Sequence, residues 1–208
     1  MSDEAHTEEY KGLKIRIQQD EDAQSPEDWE PMGTIYTNHN RYFAIGIDLN
    51  KIEDEEAAEV RSNGAESLAI YAYVHSGVAL STSPFNCRFD SGQCGFITMT
   101  KEKIISEYGD DSEASREKAR GYMKGEIENW NTYLSGNIYG YIVEDKNGNE
   151  LDSCWGYYGD YDGAGGALIE ARSVADYHAK KIKESRSRKL KGQIKSRAPL
   201  NVREGVGV

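Results

Sequence analysis

Short apolar runs of strand length lie in groups along the chain. Within each group, the segments that connect the runs have the composition of turns rather than of crossover helices. Two of these runs, 68–74 and 95–99, flank the polar stretch 75–96, which is predicted to be a loop, and both are rich in the β-branched and aromatic residues that favour strands. Further runs with strand character lie at 13–18, 34–37, 42–47, 138–143 and 151–155. Grouped strands joined in this way predict an α+β fold with a bent, mainly antiparallel sheet.

The clearest predicted helix begins after Asp111 or Ser112 and ends at Ser135, because apolar residues recur in it at spacings of three and four. The stripe consists of Ala119, Tyr122, Met123, Ile127, Trp130, Tyr133 and Leu134. Other helical segments are predicted at 51–62, at 101–108 and from Ala167 onward. The sequence therefore predicts one sheet packed with two to three helices.

Both ends of the chain are predicted to lie outside the folded domain. Residues 1–9 are acidic and are expected to be disordered, and residues 186–208 are expected to form a flexible basic tail. The remainder, 10–185, is predicted to be a single domain. No run approaches the roughly 20 apolar residues that a membrane span needs, and the N-terminus lacks the apolar stretch of a secretory signal, so a cytoplasmic protein is expected.

The net charge of −11 is unevenly distributed along the chain. Residues 1–66 hold 17 acidic and 6 basic residues, residues 67–179 hold 17 and 9, and residues 180–208 hold 2 and 10. An acidic body repels nucleic acid and attracts basic surfaces, including the nucleic-acid-binding grooves of other proteins. The alternative is that the negative charge only keeps the protein soluble.

One set of polar residues could support cysteine chemistry. A cysteine nucleophile needs a base, and the base needs an orienting acceptor. Cys87 or Cys154 could be the nucleophile, with His75 as the base and Asp90 or Asp152 as the acceptor. The residues around Cys87, PFNCRF, match no signature of a cysteine nucleophile, and a buried structural cysteine is the alternative.

His39, His75 and Cys87 are also residue types that bind zinc. Their spacing is irregular, with 36 residues from His39 to His75 and 12 more to Cys87, so no pair has a standard ligand spacing. The three cysteines are an odd number without a CxxC pair, which indicates neither a disulfide framework nor a zinc ribbon. The sequence predicts no metal and no cofactor, with this zinc set as the alternative.

The glycine-rich stretch 156–166 precedes the last predicted helix, where phosphate-binding loops also lie. It lacks the lysine and hydroxyl residue of a P-loop, and Asp160 and Asp162 would repel phosphate. Its tyrosines suit a protein-facing surface instead, with a mobile surface loop as the alternative. The predicted binding surface consists of Asp20, Glu21, Asp22, Asp28, Glu55, Glu56, Tyr157, Tyr158, Asp160, Tyr161 and Asp162.

Two other residues are predicted to be structural. His178 lies on the apolar face of the last helix and is expected to be a core histidine with a hydrogen-bond partner. Trp29 is expected to anchor the acidic loop that follows the first strand.

Three strings of the sequence carry a resemblance to a known group of proteins. They are QDEDAQSPEDWEPMGTIY with NHNRY, YVHSGVALSTSPFNCRFDSGQCGFITMTKEKIISEYG, and WNTYLSGNIYGYIVED with DSCWGYYGDYD. Together, over about residues 14–172, they resemble a widespread group encoded by phages and other mobile elements. Phe89 stands where this group leads us to expect tryptophan, and Cys94 where we expect valine, which argues against a catalytic Cys94. The resemblance supplies a context and no mechanism.

Small accessory proteins of mobile elements often bind host machinery, and an acidic one resembles in charge the nucleic-acid mimics that block restriction or CRISPR nucleases. We therefore predict a non-enzymatic protein that binds and inhibits a host nucleic-acid-handling or defence protein through a basic surface on that partner. The alternative is a small cysteine- or metal-dependent hydrolase or transferase that uses the 75–96 stretch. A third hypothesis is that the basic tail binds nucleic acid or the partner directly.

Overall fold

The computed structural model describes residues 4–53, 55, 58, 60, 62, 64–87 and 89–197. The described strands are β1 Glu4–Tyr10, β2 Leu13–Gln19, β3 Thr34–Thr37, β4 Ile47–Asp48, β5 Gly64–Val74, β6 Val78–Ser81, β7 Ser91–Thr100, β8 Ile138–Glu144 and β9 Glu150–Tyr158. The main helices are α1 Lys101–Tyr108, α2 Glu113–Leu134 and α3 Ala167–Arg197, and short 3-10 helices lie at Pro26–Trp29 and Leu49–Lys51. Antiparallel-rich sheets combined with helices confirm the predicted α+β class.

The chain divides into two compact units. The terminal unit consists of Met1–Asp20 and Tyr139–Val208, and the central unit consists of Glu21–Ile138. The strands accordingly form two sheets, one of four and one of five strands. That 10–185 forms a single domain stays a prediction.

The terminal unit has a four-stranded sheet in the order β1-β2-β8-β9, with α3 on one face. Strand β2 alternates buried and half-buried residues, as a strand with one covered face does. Alanines line the side of α3 that meets this face, and their small side chains let the helix approach the sheet closely. The core of the unit consists of Leu13, Ile15, Ile17, Tyr141, Val143, Ala167, Leu168, Ala171 and Ala175.

Both predicted tails differ from the structure. Residues 4–9, expected to be disordered, belong to the edge strand β1, which pairs with β2. The guanidinium of Arg172 in α3 donates two hydrogen bonds, of 2.8 and 2.7 Å, to the carboxylate of Glu8 in β1 and holds the strand on the unit. Residues 186–197 of the expected C-terminal tail continue α3, because lysine, arginine, leucine and glutamine are good helix formers. Residues 1–3 and 198–208 lie outside the described part of the chain.

The central unit has a five-stranded sheet in the order β4-β3-β7-β5-β6, in which only the short β3–β4 pair is parallel. Helix α2 begins at the N-cap Ser112, whose side chain accepts a hydrogen bond from the backbone N–H of Ser115. The predicted stripe is confirmed at Ala119, Met123, Ile127 and Trp130, which are buried, whereas Tyr122 is exposed.

Two strand predictions in the central unit were wrong. Of the predicted strand 42–47, only Ile47 joins the sheet, although Phe43 and Ile45 are buried. Gly46 interrupts the strand, since its φ is +65° and a Cβ there would lie 2.2 Å from the carbonyl oxygen of Ile35.

Strand β6, in turn, lies inside the stretch predicted as a loop. At Leu80, the side-chain amide of Asn131 in α2 accepts a hydrogen bond from the backbone N–H, at 2.6 Å, and donates one to the C=O, at 2.7 Å.

The segment 51–62 was predicted to be a helix. Of its described residues, 55, 58, 60 and 62 are helical, whereas Lys51 ends a 3-10 helix and residues 52–53 are not helical. Strand β9 runs three residues further than predicted, so the loop before α3 begins at Gly159 rather than Gly156. None of the described helices combines the length and the apolar character that a membrane crossing requires.

Candidate functional site

Three of the predicted catalytic residues meet beside the turn after β5 in the central unit. The Oδ2 atom of Asp90 lies 3.4 Å from Nδ1 of His75 and 3.9 Å from Sγ of Cys87. The backbone places them there, because the N–H of Val74 at the end of β5 donates to the carbonyl of Asp90, at 2.8 Å. The ring of Tyr73 stacks on His75 with centroids 6.2 Å apart.

The order of contacts in this cluster differs from that of an activated cysteine. The thiol of Cys87 has a carboxylate as its described partner, whereas a reactive thiolate has a base or a positive charge beside it. His75 contacts the same carboxylate oxygen. The side chain of His75 is 67% exposed, so the imidazole is not enclosed in a site that excludes water. The geometry brings together the predicted acid and base but does not assemble a nucleophile–base–acid chain.

The other two cysteines lie elsewhere. Cys94 is buried in β7, where its Sγ lies 3.5 Å from the carbonyl oxygen of Ile70, and burial raises the pKa of its thiol to about 11. Such a thiol is an inert packing residue. Cys154 is exposed on β9 and belongs, like Asp152, to the terminal unit, whereas the cluster around Asp90 belongs to the central unit.

In the terminal unit, Asp152 has its own partners. Its Oδ2 lies 3.6 Å from Nε2 of His178, and its Oδ1 accepts a hydrogen bond of 3.4 Å from the hydroxyl of Tyr141. The imidazole of His178 thus lies beside a carboxylate, but at 3.6 Å this contact is too long for the expected hydrogen bond. Burial raises the pKa of Tyr141 to about 12, and it also raises the pKa of Tyr157, which lies beside Cys154, above its usual range.

The zinc alternative finds no support in the geometry. The Nε2 of His39 lies 3.2 and 3.1 Å from the carbonyl oxygens of Ile45 and Gly46, and its Nδ1 lies 3.8 Å from the carboxylate of Asp48. His39 therefore holds its own loop together. Within the part of the chain that the structure describes, no group of three or more His, Cys, Asp or Glu side chains is arranged to hold a metal ion.

An open groove of about 420 Å³ lies next to Asp90. The amide side chains of Asn38, Asn40 and Gln93 line it, together with aromatic residues of which two are exposed. Phe89 is 98% exposed and Tyr42 is 52% exposed. Exposed aromatic side chains beside polar groups are typical of surfaces that contact other molecules. Sequence reasoning did not select these residues, and the only signal was the aromatic residue that the resemblance led us to expect at position 89.

The two units differ strongly in charge. The central unit contains 21 acidic and 10 basic residues, so it carries the whole net charge of −11, whereas the terminal unit contains 15 of each. The arginines of α2 are engaged within the central unit. Arg120 pairs with Glu66, Glu113 and Glu117, and Arg116 pairs with Asp111 and Glu66.

The segment 21–30 presents five acidic residues and no basic residue. All five are exposed: Glu21, Asp22, Glu27, Asp28 and Glu30. Ser25 caps the 3-10 helix of this segment by accepting a hydrogen bond from the N–H of Glu27, at 3.2 Å. The buried anchor is Pro26 rather than Trp29, which is 42% exposed.

The predicted binding residues are divided between the units. Asp20, Tyr157, Tyr158, Asp160, Tyr161 and Asp162 belong to the terminal unit, and Glu21, Asp22, Asp28 and Glu55 belong to the central unit. Glu56 lies outside the described residues. Two of the tyrosines, Tyr157 and Tyr161, are half-buried against the core of the terminal unit, so much of their ring surface serves packing.

Comparisons of the chain with protein-family models, with curated proteins and with solved structures found no match. What the protein does is therefore argued from its charge, its exposed side chains and the contacts between them.

Proposed function

We propose that this protein is a non-enzymatic binding protein whose acidic central unit occupies a basic surface on another protein. The observation that carries this proposal is the charge difference between the units, because the net charge of −11 belongs entirely to residues 21–138. A single-sign surface raises the rate of encounter with a partner of opposite sign and disfavours nucleic acid itself.

The internal ion pairs of the central unit support this proposal. Hydrogen bonds that Arg120 donates to the carboxylates of Glu113, Glu66 and Glu117 raise the pKa of Arg120. Hydrogen bonds donated to Asp111 likewise raise the pKa of Arg116, so both guanidinium charges are neutralised locally. The exposed carboxylates of segment 21–30 have no basic residue between them in the sequence. The field that an approaching molecule meets at this segment is accordingly negative.

The class of partner follows from charge together with the resemblance. A protein that handles nucleic acid has a basic groove, and the resemblance to proteins of phages and mobile elements favours a host defence nuclease of the restriction or CRISPR type. The protein would then block the groove that the nuclease uses for nucleic acid.

The test compares two triple variants that change the net charge equally. Glu21→Gln/Glu27→Gln/Asp28→Asn neutralises exposed acids of the central unit, and Glu9→Gln/Glu150→Gln/Glu170→Gln does the same in the terminal unit. Tagged protein is used to capture partners from a bacterial lysate at low and high salt, and a retained stoichiometric partner is identified, purified and titrated. We expect the first variant to weaken binding about tenfold or more and the second by less than about twofold, with affinity falling as salt rises. Salt-independent binding, or equal losses in both variants, would contradict the proposal.

A cysteine-dependent enzyme is the second candidate, because Cys87, His75 and Asp90 do converge. Its test is the rate at which Cys87 is alkylated at neutral pH, compared with a small free thiol. Alkylation many times faster than that of the free thiol would favour the enzyme, since a stabilised thiolate reacts faster than an ordinary thiol at that pH. A rate no faster than that of the free thiol would leave the binding proposal as the better account.

A further inference from the structure

The terminal unit has a groove of about 660 Å³ beside the second half of α3. Helix α3 has 31 residues and is therefore roughly 46 Å long. Strand β2, on which it packs, has 7 residues and spans roughly 24 Å. Because the helix outruns the sheet, its side chains beyond Ile182 have no core to cover, and Leu190 and Ile194 are 58% and 56% exposed.

The groove is lined by apolar and by basic side chains. It is bounded by α3, by the β1–β2 turn and by the β8–β9 turn. The apolar lining residues are Leu13, Ala179, Ile182 and Leu190, and the basic ones are Lys11, Lys146, Lys183 and Arg186. One acidic residue, Asp145, also lines it, but its carboxylate accepts hydrogen bonds from the N–H groups of Asn147 and Asn149 in its own turn, at 2.8 and 3.0 Å.

The positive charge of residues 180–194 in this helix is not neutralised by carboxylates among the described side chains. Residues 180–197 include nine basic residues and one acidic residue, a net charge of +8. Among the described side chains of 180–194, no lysine or arginine forms an ion pair. Earlier in the same helix Arg172 pairs with Glu8, and Lys11 across the groove pairs with Asp176, at 2.6 Å. The concentrated charge of 180–194 is therefore available to an anionic partner.

We propose that this groove docks an acidic amphipathic peptide segment of a partner protein. Apolar side chains of that segment would contact Ile182 and Leu190, and its carboxylates would pair with Lys183 and Arg186. Amphipathic segments commonly bind in this way, with an apolar face in a groove and charges at its edge.

The lining of the groove favours a peptide over other anionic partners. Nucleic acid bound as a single strand stacks its bases on aromatic rings, and none of the described residues that line this groove is aromatic. A flat membrane surface would not reach Leu13, which is only 2% exposed. A second copy of α3 carries the same positive charge and would be repelled. This inference uses the terminal unit alone and is independent of the proposed function of the central unit.

The experiment measures the binding of a short fluorescent peptide of leucine and glutamate, in amphipathic helical order, to the full-length protein by fluorescence anisotropy. The groove variant is Lys183→Glu/Arg186→Glu. The control is Lys181→Glu/Arg188→Glu, which changes the net charge equally at exposed positions that do not line the groove. A third variant, Leu190→Ser, removes an apolar contact without changing charge. Circular dichroism checks that the helix content of each variant is that of the parent.

We expect the groove variant to weaken binding about tenfold or more, the control by about twofold, and Leu190→Ser about threefold or more with the same salt dependence. Equal losses in the groove variant and its control would show unspecific attraction and overturn the proposal. Absence of measurable peptide binding would overturn it as well. So would tighter binding of duplex DNA, single-stranded DNA or phosphatidylserine vesicles than of the peptide. The triple variant of Glu21, Glu27 and Asp28 leaves peptide binding unchanged, which separates this test from that of the proposed function.

Discussion

Glu126 of α2 should make the stability of the central unit depend on pH near neutrality. Its side chain is only 8% exposed, and its carboxylate accepts hydrogen bonds from the backbone N–H groups of Met32, at 2.9 Å, and Gly33, at 3.2 and 3.3 Å. Burial raises the pKa of this carboxyl to about 7, although the two N–H groups oppose the shift. Tyr108 and Tyr122 also lie near its charge, but their pKa values are raised from 10.0 and they stay neutral at pH 7.

The size of the effect follows from the difference in proton affinity. The carboxyl titrates near 4.5 when unfolded and near 7 when folded, so the folded state binds the proton more tightly. At roughly 1.4 kcal/mol per unit of pKa, this difference corresponds to about 3 kcal/mol. That stability is fully present below about pH 4.5 and is lost as the pH rises through about 7.

The test is urea unfolding of the parent and of Glu126→Gln between about pH 5 and about pH 8. Glutamine can accept the same backbone hydrogen bonds, but its buried NH₂ group lacks a partner, which costs about 1–3 kcal/mol at every pH. We therefore expect the parent to be more stable than the variant at the acidic end. This advantage should shrink by about 2–3 kcal/mol toward the basic end.

A matched control is Glu128→Gln, an exposed carboxylate two residues further along α2. Its difference from the parent should be independent of pH over this window, since Glu128 is exposed and its surroundings change little on unfolding. If the difference between parent and Glu126→Gln stayed constant within about 0.5 kcal/mol, or grew with pH, the assignment of a raised pKa to Glu126 would be refuted.

Three further predictions concern packing. Arg172→Ala removes both hydrogen bonds to Glu8, so amide hydrogen exchange in β1 should become faster while that in β2 stays slow, and unchanged protection of β1 would contradict the role given to this pair. Gly140→Ala should lower the free energy of unfolding by about 1–3 kcal/mol, because the added Cβ would lie 2.2 Å from an indole carbon of Trp155. Gly121→Ala in α2 should raise the free energy of unfolding by up to about 1 kcal/mol, because nothing lies within 4 Å of the added Cβ. Thermal unfolding that ranks these two variants in the opposite order would count against the packing described. Cys94 should be alkylated only on unfolding, as mass spectrometry of protein labelled with and without denaturant can establish.

Elements with local signals could be predicted, and elements that depend on distant partners could not. Helix α2 has its cap, its apolar stripe and its end within one segment, and the structure confirms it. Strand β1 has the composition of a disordered acidic terminus, and it is ordered by Arg172, which is 164 residues away from Glu8. Strand β6 was missed for the same reason, because its edge is completed by a side chain of α2.

The candidate site shows the same division. The sequence identified His75, Cys87 and Asp90 as chemistry-bearing residues, and their convergence depends on how β5 and β7 pair. It could not reveal that Asp90 rather than His75 is the described partner of the thiol. Nor could it distinguish Glu126 from the exposed acidic residues, because burial under the backbone of 32–33 is a tertiary property.

The sequence by itself determined the α+β class, the main helices, the total charge and the basic character of residues 180–197, since these follow from composition and short-range periodicity. Tertiary structure alone decided which residues share a unit. Strand β2 pairs with β8, with Lys14 opposite Glu144, and this pairing joins the first 20 residues to the last 70. This strand pairing places both ends of the chain in one unit, which is neutral overall and contains a basic helix. All of the net negative charge then belongs to the central unit. Strand pairing over such a distance leaves no local signal, because it depends on backbone hydrogen bonds that any sequence with a suitable alternation can form.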